Sequence, residues 1–466
     1  MKTFVEKIES FFKIKERGSS ISRELIGGLT IFLAMIYILP VNAGMLSKTG
    51  MPFGAVFAAT AIAAGLTTIL MGVLANYPIG LAPGMGVNAF FTYTVCFALG
   101  FPWEEALAGV LISGVIFVII SLTNIRKKLI NAIPKDLKIA IGAGIGFFIA
   151  FIGLRNAGVI VSNEATGVAL GNLAHPAVLL GVFGIVLAIV LYAMKNRFAV
   201  IISILATGIV GVVLGLLGVE FMPTYTAEGL GSVTDISETF GKAFKAIPSL
   251  LAKPEAYAVI FTFLFVDFFD TAGTLVAVGH DAGLLDEEGQ LIGDKKAFLA
   301  DAIGTVAGAT LGTSTVTSFV ESTTGIQSGS RTGLSAVVVG VLFLLSLLIY
   351  PLFGFVGGID SGYVDSFGEI IYYSPVTAMA LVLVGALMIK SLKELDWNNA
   401  ISVTSGFIAI IMMVLCYSIA DGIAFGLITY TIMMLASRKY KEINVGMYIL
   451  TALFIINLVI KFTVLA

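Results

Sequence analysis

The sequence predicts an all-α polytopic membrane protein of about fourteen spans, arranged as two inverted halves of seven. Three observations carry this. The 466 residues are 58% hydrophobic and only 12% charged, with a mean hydropathy of +1.02, whereas soluble chains hold about 25% charged residues. At about 20 apolar residues per helical span, fourteen spans need roughly 280 residues, which matches the apolar share of the chain. Lysines and arginines also fall in alternate connections between the apolar stretches. A large water-soluble enzyme is therefore excluded. The net charge of −2 leaves no basic surface for nucleic acid. Cys96 and Cys416 sit far apart in apolar runs, so neither a disulfide framework nor a metal cluster is expected. Residues 1–20 are charged and polar without a short apolar core, which predicts no cleaved signal peptide.

Apolar stretches run over 24–47, 52–77, 80–98, 103–123, 137–155, 176–194 and 198–218. A polar gap follows at 219–255, read as an exposed loop with an amphipathic stretch around 240–251. Then come 256–278, 296–312, 315–330, 333–353, 374–392, 400–417 and 421–437. For a last stretch near 446–463, hydropathy leaves open whether it spans or lies along the surface. Lys2, Lys7, Lys13, Lys15, Arg17 and Arg23 precede the first span. Arg126, Lys127, Lys128, Lys135 and Lys138 follow the fourth, Lys195 and Arg197 the sixth, Lys390 and Lys393 the twelfth, and Arg438, Lys439 and Lys441 the fourteenth. The connections 156–175, 219–235 and 354–373 contain no Lys or Arg. By the positive-inside rule the N-terminus and the basic connections face the cytoplasm, and 219–255 lies outside.

Seven spans before the gap and seven after it reverse the second half relative to the first. Related halves of that kind are a transporter signature, and short Gly/Pro-interrupted segments at corresponding positions then mark the binding site. The third and tenth segments fit. The third, NYPIGLAPGMGVNAFF, packs two prolines and three glycines into 78–88, so regular helix is expected only from about Asn88. The tenth, GTSTVTSFVESTTG, alternates Thr and Val in a short extended stretch, with helix expected from near Ser318. Irregular backbone at membrane depth is tolerated only where protein or a polar cavity satisfies it. Two such breaks turn two half-helix N-termini, with free N–H groups, toward a ligand.

The eighth span carries the chemistry. In FVDFFDTAGT the polar residues Asp267, Asp270, Thr271 and Thr274 fall at i, i+3, i+4 and i+7, one face of a helix. A carboxylate at membrane depth costs at least ~2.5–3.5 kcal/mol on insertion scales, and no Lys or Arg lies in the same span to pair with these two. The bland alternative has Asp270 bonding nearby backbone while Asp267 points into a wet vestibule. Glu321 is the second candidate. Ser318-x-x-Glu321 is also a capping-box pattern, so the carboxylate could serve only its own helix, but it sits in a broken segment with no basic neighbour before Arg331. Asn88 opens the third-segment half-helix opposite Glu321, or is simply its N-cap. Asp301 in the ninth span ranks behind these, as a packing group or a member of the carboxylate network. Gly142-x-Gly144-x-Gly146 follows no strand and reads as close helix packing rather than a nucleotide fingerprint. Glu104 and Glu105, at a span end, read as solvated. His280 borders the acidic loop 281–289 and reads as a surface residue.

These residues carry a family resemblance. GLAPGMGVNAFF, FVDFFDTAGTL and GTSTVTSFVESTTGIQSGSRTGL are similar to the AzgA-type purine permeases of the nucleobase–cation symporters, relatives of the nucleobase–ascorbate transporters. The resemblance extends over nearly the whole chain. It implies fourteen helices in two inverted seven-helix repeats, with a short strand opening the third and tenth segments and the two strands pairing antiparallel. It implies a core domain from 24–123 and 256–353 and a gate domain from 137–218 and 374–466. It also implies substrate binding by Asp267, Glu321 and Asn88, with Asp270 a supporting acid. Gly86, in the glycine-rich stretch, would let backbone approach the base, and Val320 would line the site beside Glu321.

The expected function is proton-coupled import of purine bases (hypoxanthine, guanine or adenine) across the cytoplasmic membrane by alternating access. An ionised Glu accepts from adjacent N–H groups of a flat base. Because the base is neutral, uphill uptake needs a coupled ion, which Asp267, Glu321 or Asp270 can supply as a proton. The partners are then a purine, a proton and the lipid bilayer, with no cofactor and no metal. A homodimer is expected because related folds often pair through the gate domain. Two other classes fit poorly. An intramembrane hydrolase lacks its Gly-x-Gly-Asp tetrapeptide or a Ser/His pair in the spans, and an anion transporter or channel of this architecture would not present three acids at its site.

Overall fold

The computed structural model describes residues 4–464 apart from 124–131, 164, 197, 226–234, 285–290, 354–358 and 365–369. Lys2, Arg126, Lys127, Lys128 and Arg197 lie outside the described residues, as do much of the acidic loop and the side chain of His280. Among the described residues, ten helices are long and apolar enough to cross a membrane. They begin and end within a few residues of the apolar windows, from Ile21–Thr49 and Phe53–Ala75 to Pro375–Glu394 and Ile419–Ala436. The shorter Met85–Ala98 and Ala400–Leu415, the less apolar Asp294–Leu311 and the stub Thr323–Gln327 occupy the third, thirteenth, ninth and tenth positions. The last stretch is a further helix, Val445–Val464.

The two interrupted segments meet at the centre. Strand Leu81–Pro83 pairs antiparallel with strand Val316–Ser318, in the register Leu81↔Ser318, Ala82↔Thr317 and Pro83↔Val316. An inverted repeat fits this, because a two-fold axis perpendicular to two corresponding strands makes them pair antiparallel. A second contact obeys the same symmetry. The fifth and twelfth spans approach at Gly146 and Gly385, where a Cβ on either residue would run into the carbonyl oxygen of the other. Gly146 thus packs helices, as its spacing suggested.

Packing sorts the helices into two groups. Phe53–Leu70 lies against Gly333–Leu345 and Asp294–Leu311, and Trp103–Leu122 lies against Asp294–Leu311 and Glu255–Asp281. Lys135–Asn156 lies against Pro375–Met388 and Ala400–Leu415, which in turn packs on Ile419–Ala436. The loop after the seventh span carries the expected amphipathic helix, Lys242–Leu251.

Several local expectations need correction. The third-segment helix starts at Met85, not Asn88. Gly84 takes an extended conformation as its cap, and the Asn88 N–H already donates to the Gly84 carbonyl at 2.8 Å. The tenth-segment helix starts after Phe319, in a tight turn at Val320–Ser322. Ser318 cannot open it because its backbone is held in the strand and its hydroxyl donates to Asp301. Glu105 is buried rather than solvated, since Lys253 Nζ donates to its Oε2 at 2.5 Å. Two connections read only as loops form hairpins, Ile160–Asn163 with Gly167–Leu170 and Ile359–Val364 with Ile370–Tyr373. His175 ties them together, with Nε2 3.0 Å from the Ser361 carbonyl and its ring against Phe221 and Tyr363.

Candidate functional site

Two buried polar networks adjoin the strand pair. The first is built on the eighth span. Asp267 is 1% exposed; its Oδ2 accepts from Thr305 Oγ1 at 2.8 Å, and its Oδ1 has no hydrogen-bond partner. Asp301, fully buried, accepts from Thr271 Oγ1 at 2.7 Å and from Ser318 Oγ at 2.8 Å. Thr305 lies one helical turn from Asp301, so the ninth span meets both carboxylates' partners with one face. Asp270 differs from Asp267. It is only half-buried, lies 3.4 Å from Thr317 Oγ1 in the strand, and borders Gly84, whose added Cβ would stand 3.7 Å from its Oδ2.

Glu321 sits in the turn that follows the strand and is likewise half-buried. Its Oε1 accepts from the Tyr37 hydroxyl at 2.6 Å. Its backbone carbonyl accepts from Thr324 Oγ1 at 2.7 Å, and the Phe319 N–H just before the turn donates to the Gly80 carbonyl at 3.0 Å. The capping-box alternative is therefore not realised, since the Ser318 hydroxyl is committed to Asp301. Val320, beside Glu321, is 38% exposed.

In the second network, Asn88 is fully buried. Its Nδ2 donates to Asn42 Oδ1 at 2.7 Å, and its Oδ1 accepts from Ser314. Asn42 Nδ2 donates in turn to Thr60 at 2.6 Å and Thr313 at 2.8 Å. The structure thus brings Asp270, Glu321 and Val320 to accessible surface, while Asp267 and Asn88 lie behind it. Gly86 faces the other helix group: a Cβ there would meet Ile145 at 2.9 Å and Ile419 at 3.5 Å. Aromatic packing continues behind the site, with Phe90 edge-on to Phe263 and Phe268 tilted against Phe298.

Sequence reasoning did not single out Tyr37, Asn42 or Thr305. Pro40 was the available signal for the first. It has no N–H for the Ile36 carbonyl, so the first span is interrupted at Ile36–Tyr37, between Ile21–Met35 and Ile38–Leu46. Among the described residues, no Lys or Arg forms an ion pair with Asp267, Asp270, Asp301 or Glu321, and no group of three His, Cys, Asp or Glu side chains could hold a metal ion. Such a site offers acceptors to a neutral ligand's N–H groups and places for a proton, and it repels anions.

Comparison with known proteins agrees with the fold. A family model described as a permease family matches residues 22–425. A guanine/hypoxanthine permease, PbuG of Bacillus subtilis, is 44% identical over 458 residues, covering 96% of this chain and 99% of that protein. An adenine permease, AdeP of Escherichia coli K12, is 37% identical over 455 residues, covering 97% and 96%. Among solved structures, the transmembrane domain of the cyanobacterial bicarbonate transporter BicA superposes with a TM-score of 0.58 at 15% identity, covering 86% of this chain and 97% of that one.

Proposed function

From a chain that belongs to this permease family, we infer a proton-coupled importer of purine bases that works by alternating access in the cytoplasmic membrane. The observation that carries it is the pair of half-buried acids, Asp270 and Glu321, flanking two strand-to-helix openings with no Lys or Arg paired to them among the described residues. Relatives named for guanine, hypoxanthine and adenine along nearly the whole length support the substrate class.

The roles follow from exposure. Glu321, half-buried and oriented by Tyr37, accepts from the base N–H groups, and Asp270 forms the facing wall. Asp267, dry and with one oxygen unpartnered, holds the coupled proton beside Asp301. Asn88 supports the site by bracing the third-segment helix against Ser314 rather than by touching the base. The moving bodies are a core (24–123 with 256–353) and a gate (137–218 with 374–466), and the N-terminus is cytoplasmic.

One cluster joins the two bodies. Lys48 Nζ donates to Asn156 Oδ1 at 3.0 Å, the Tyr93 hydroxyl donates to the same oxygen at 3.2 Å, and the Tyr93 ring meets Tyr417 edge-on at 5.5 Å. Rocking of core against gate must part these contacts. The deciding experiment is uptake of radiolabelled hypoxanthine by cells expressing the protein, challenged with a panel of unlabelled bases and a protonophore. Purines should compete, Glu321→Gln should abolish uptake at unchanged membrane abundance, and the protonophore should abolish accumulation. Uptake by Glu321→Gln equal to wild type defeats the assignment.

A further inference from the structure

We infer that Thr317 and Thr271 form a hydroxyl relay that carries the coupled proton between Asp270, at accessible surface, and Asp301, in the buried pair Asp267 and Asp301. The inference rests on the reading of the site as proton-coupled. The observation is an unbroken row of side chains. Asp270 Oδ2 lies 3.4 Å from Thr317 Oγ1, that oxygen lies 3.1 Å from Thr271 Oγ1, and Thr271 Oγ1 lies 2.7 Å from Asp301 Oδ2. Asp270 is half-buried, whereas Thr317, Thr271 and Asp301 are at most 1% exposed. A helical threonine ordinarily donates to the carbonyl four residues back, as Thr60, Thr67 and Thr310 do here. Thr271 instead turns its hydroxyl across to the ninth span and the strand. Asp267 reaches no such row among the described residues. Its Oδ2 takes the Thr305 hydroxyl, whose other contact is the Val316 carbonyl, and its Oδ1 has no partner. A proton bound for the pair therefore enters at Asp301.

A hydroxyl donates its own proton and can accept another, so the row has two complete arrangements. With the proton on Asp270, every donor points toward Asp301; with it on Asp301, every donor points back toward Asp270. Passage from the first to the second breaks the O–H bonds of Asp270, Thr317 and Thr271 and forms O–H bonds on Thr317 Oγ1, Thr271 Oγ1 and Asp301 Oδ2. Neither threonine is left charged, and the negative charge moves from Asp301 to Asp270. The proton thus crosses the dry layer between the accessible acid and the buried one without water. When the site opens to the cytoplasm the same row runs backward and returns the proton to Asp270. Ionisable groups inside membrane proteins mark relays of this kind.

The test reads two quantities from the full-length protein in liposomes. One is proton entry on addition of hypoxanthine under an inside-negative potential, followed by an internal pH-sensitive dye. The other, without the potential, is exchange of labelled for unlabelled hypoxanthine at equal concentrations, which needs no proton to move along the row. Thr271→Val keeps the branched shape and removes the hydroxyl. Proton entry relative to exchange should then fall about tenfold or more, since a positioned proton-transfer group contributes roughly 10²–10⁴-fold. Thr271→Ser, which keeps the hydroxyl, should restore the wild-type ratio. A merely structural role for Thr271 would lower both quantities together, and a ratio left unmoved by Thr271→Val overturns the inference. A Ser variant as uncoupled as the Val variant overturns it too. Should Thr271→Val fail to fold, Thr317→Val, β-branched like the residue it replaces in the strand, decides by the same ratio. Wild type that exchanges hypoxanthine but admits no proton defeats the coupling itself, and the relay with it; coupling in wild type and Val variant alike defeats the relay alone.

Discussion

Replacing Asp267 by Asn separates the two things a buried acid does. The side chain is 1% exposed, with Thr305 donating to Oδ2 at 2.8 Å and nothing donating to Oδ1. If its place were structural, removing it would destabilise the fold. The structure argues otherwise. Asn keeps the shape and an oxygen for Thr305, and it trades a buried carboxylate oxygen without a donor for a buried amide nitrogen without an acceptor, each costing about 1–3 kcal/mol. The two penalties offset, so thermal unfolding of purified Asp267→Asn should occur close to the wild-type temperature. Transport should change in kind. One titratable acid per site couples one proton, and 100 mV is worth about 2.3 kcal/mol per charge. At tenfold per 1.4 kcal/mol, that drive sustains roughly fiftyfold accumulation. In proteoliposomes with an imposed inside-negative potential, wild type should approach that ratio. Asp267→Asn should equilibrate the base and go no further, while still exchanging labelled for unlabelled purine. An Asn variant that accumulates substrate uphill as wild type does would refute the coupling role.

Two further outcomes follow from close contacts. Lys48→Cys with Asn156→Cys, in a chain also carrying Cys96→Ser and Cys416→Ser, should transport when reduced and stop when a short thiol-reactive bridge joins the pair; full transport after bridging would show that this contact need not open. Gly333→Ala places a methyl against the Gly72 carbonyl, an overpacking that costs about 1–3 kcal/mol, so its unfolding temperature should fall clearly below wild type, and an unchanged value would mean that this helix pair separates without strain.

The sequence revealed what depends on composition averaged over many residues. Lipid selects spans by apolar content, so windows such as 103–123 and 137–155 end within two residues of Trp103–Leu122 and Lys135–Asn156. Proline and glycine announced the third-segment break, because neither forms regular helix at 78–84. What could not be read was decided by distant partners. Asp267 and Asp270 share a helix face, three residues apart, yet one packs toward Thr305 and the other toward Thr317. Local periodicity is the same for both. Asn88 likewise carries the mark of a ligand-facing amide, and only the arrival of Asn42 and Ser314 shows both ends of that amide to be held inside the protein. Tyr37 was hidden because one tyrosine in an apolar run carries no local signal beyond the proline three residues on.

The two networks flanking the strands differ in a way the repeat makes legible. Spans one, two and three contribute Asn42, Thr60 and Asn88; their counterparts eight, nine and ten contribute Asp267, Asp301 and Glu321. Where the first repeat places neutral groups, the second places acids. Amides and hydroxyls have their hydrogen bonds satisfied without titrating, so the first repeat holds strand and half-helix through Ser314 and Thr313 whether or not a proton is present. The acids hold the same strand at its own residues, through Ser318 and Thr317. Under the proposed coupling, a proton arriving there changes hydrogen bonds in the acidic network only, and would shift Val316–Ser318, and with it Glu321, relative to a frame that does not respond.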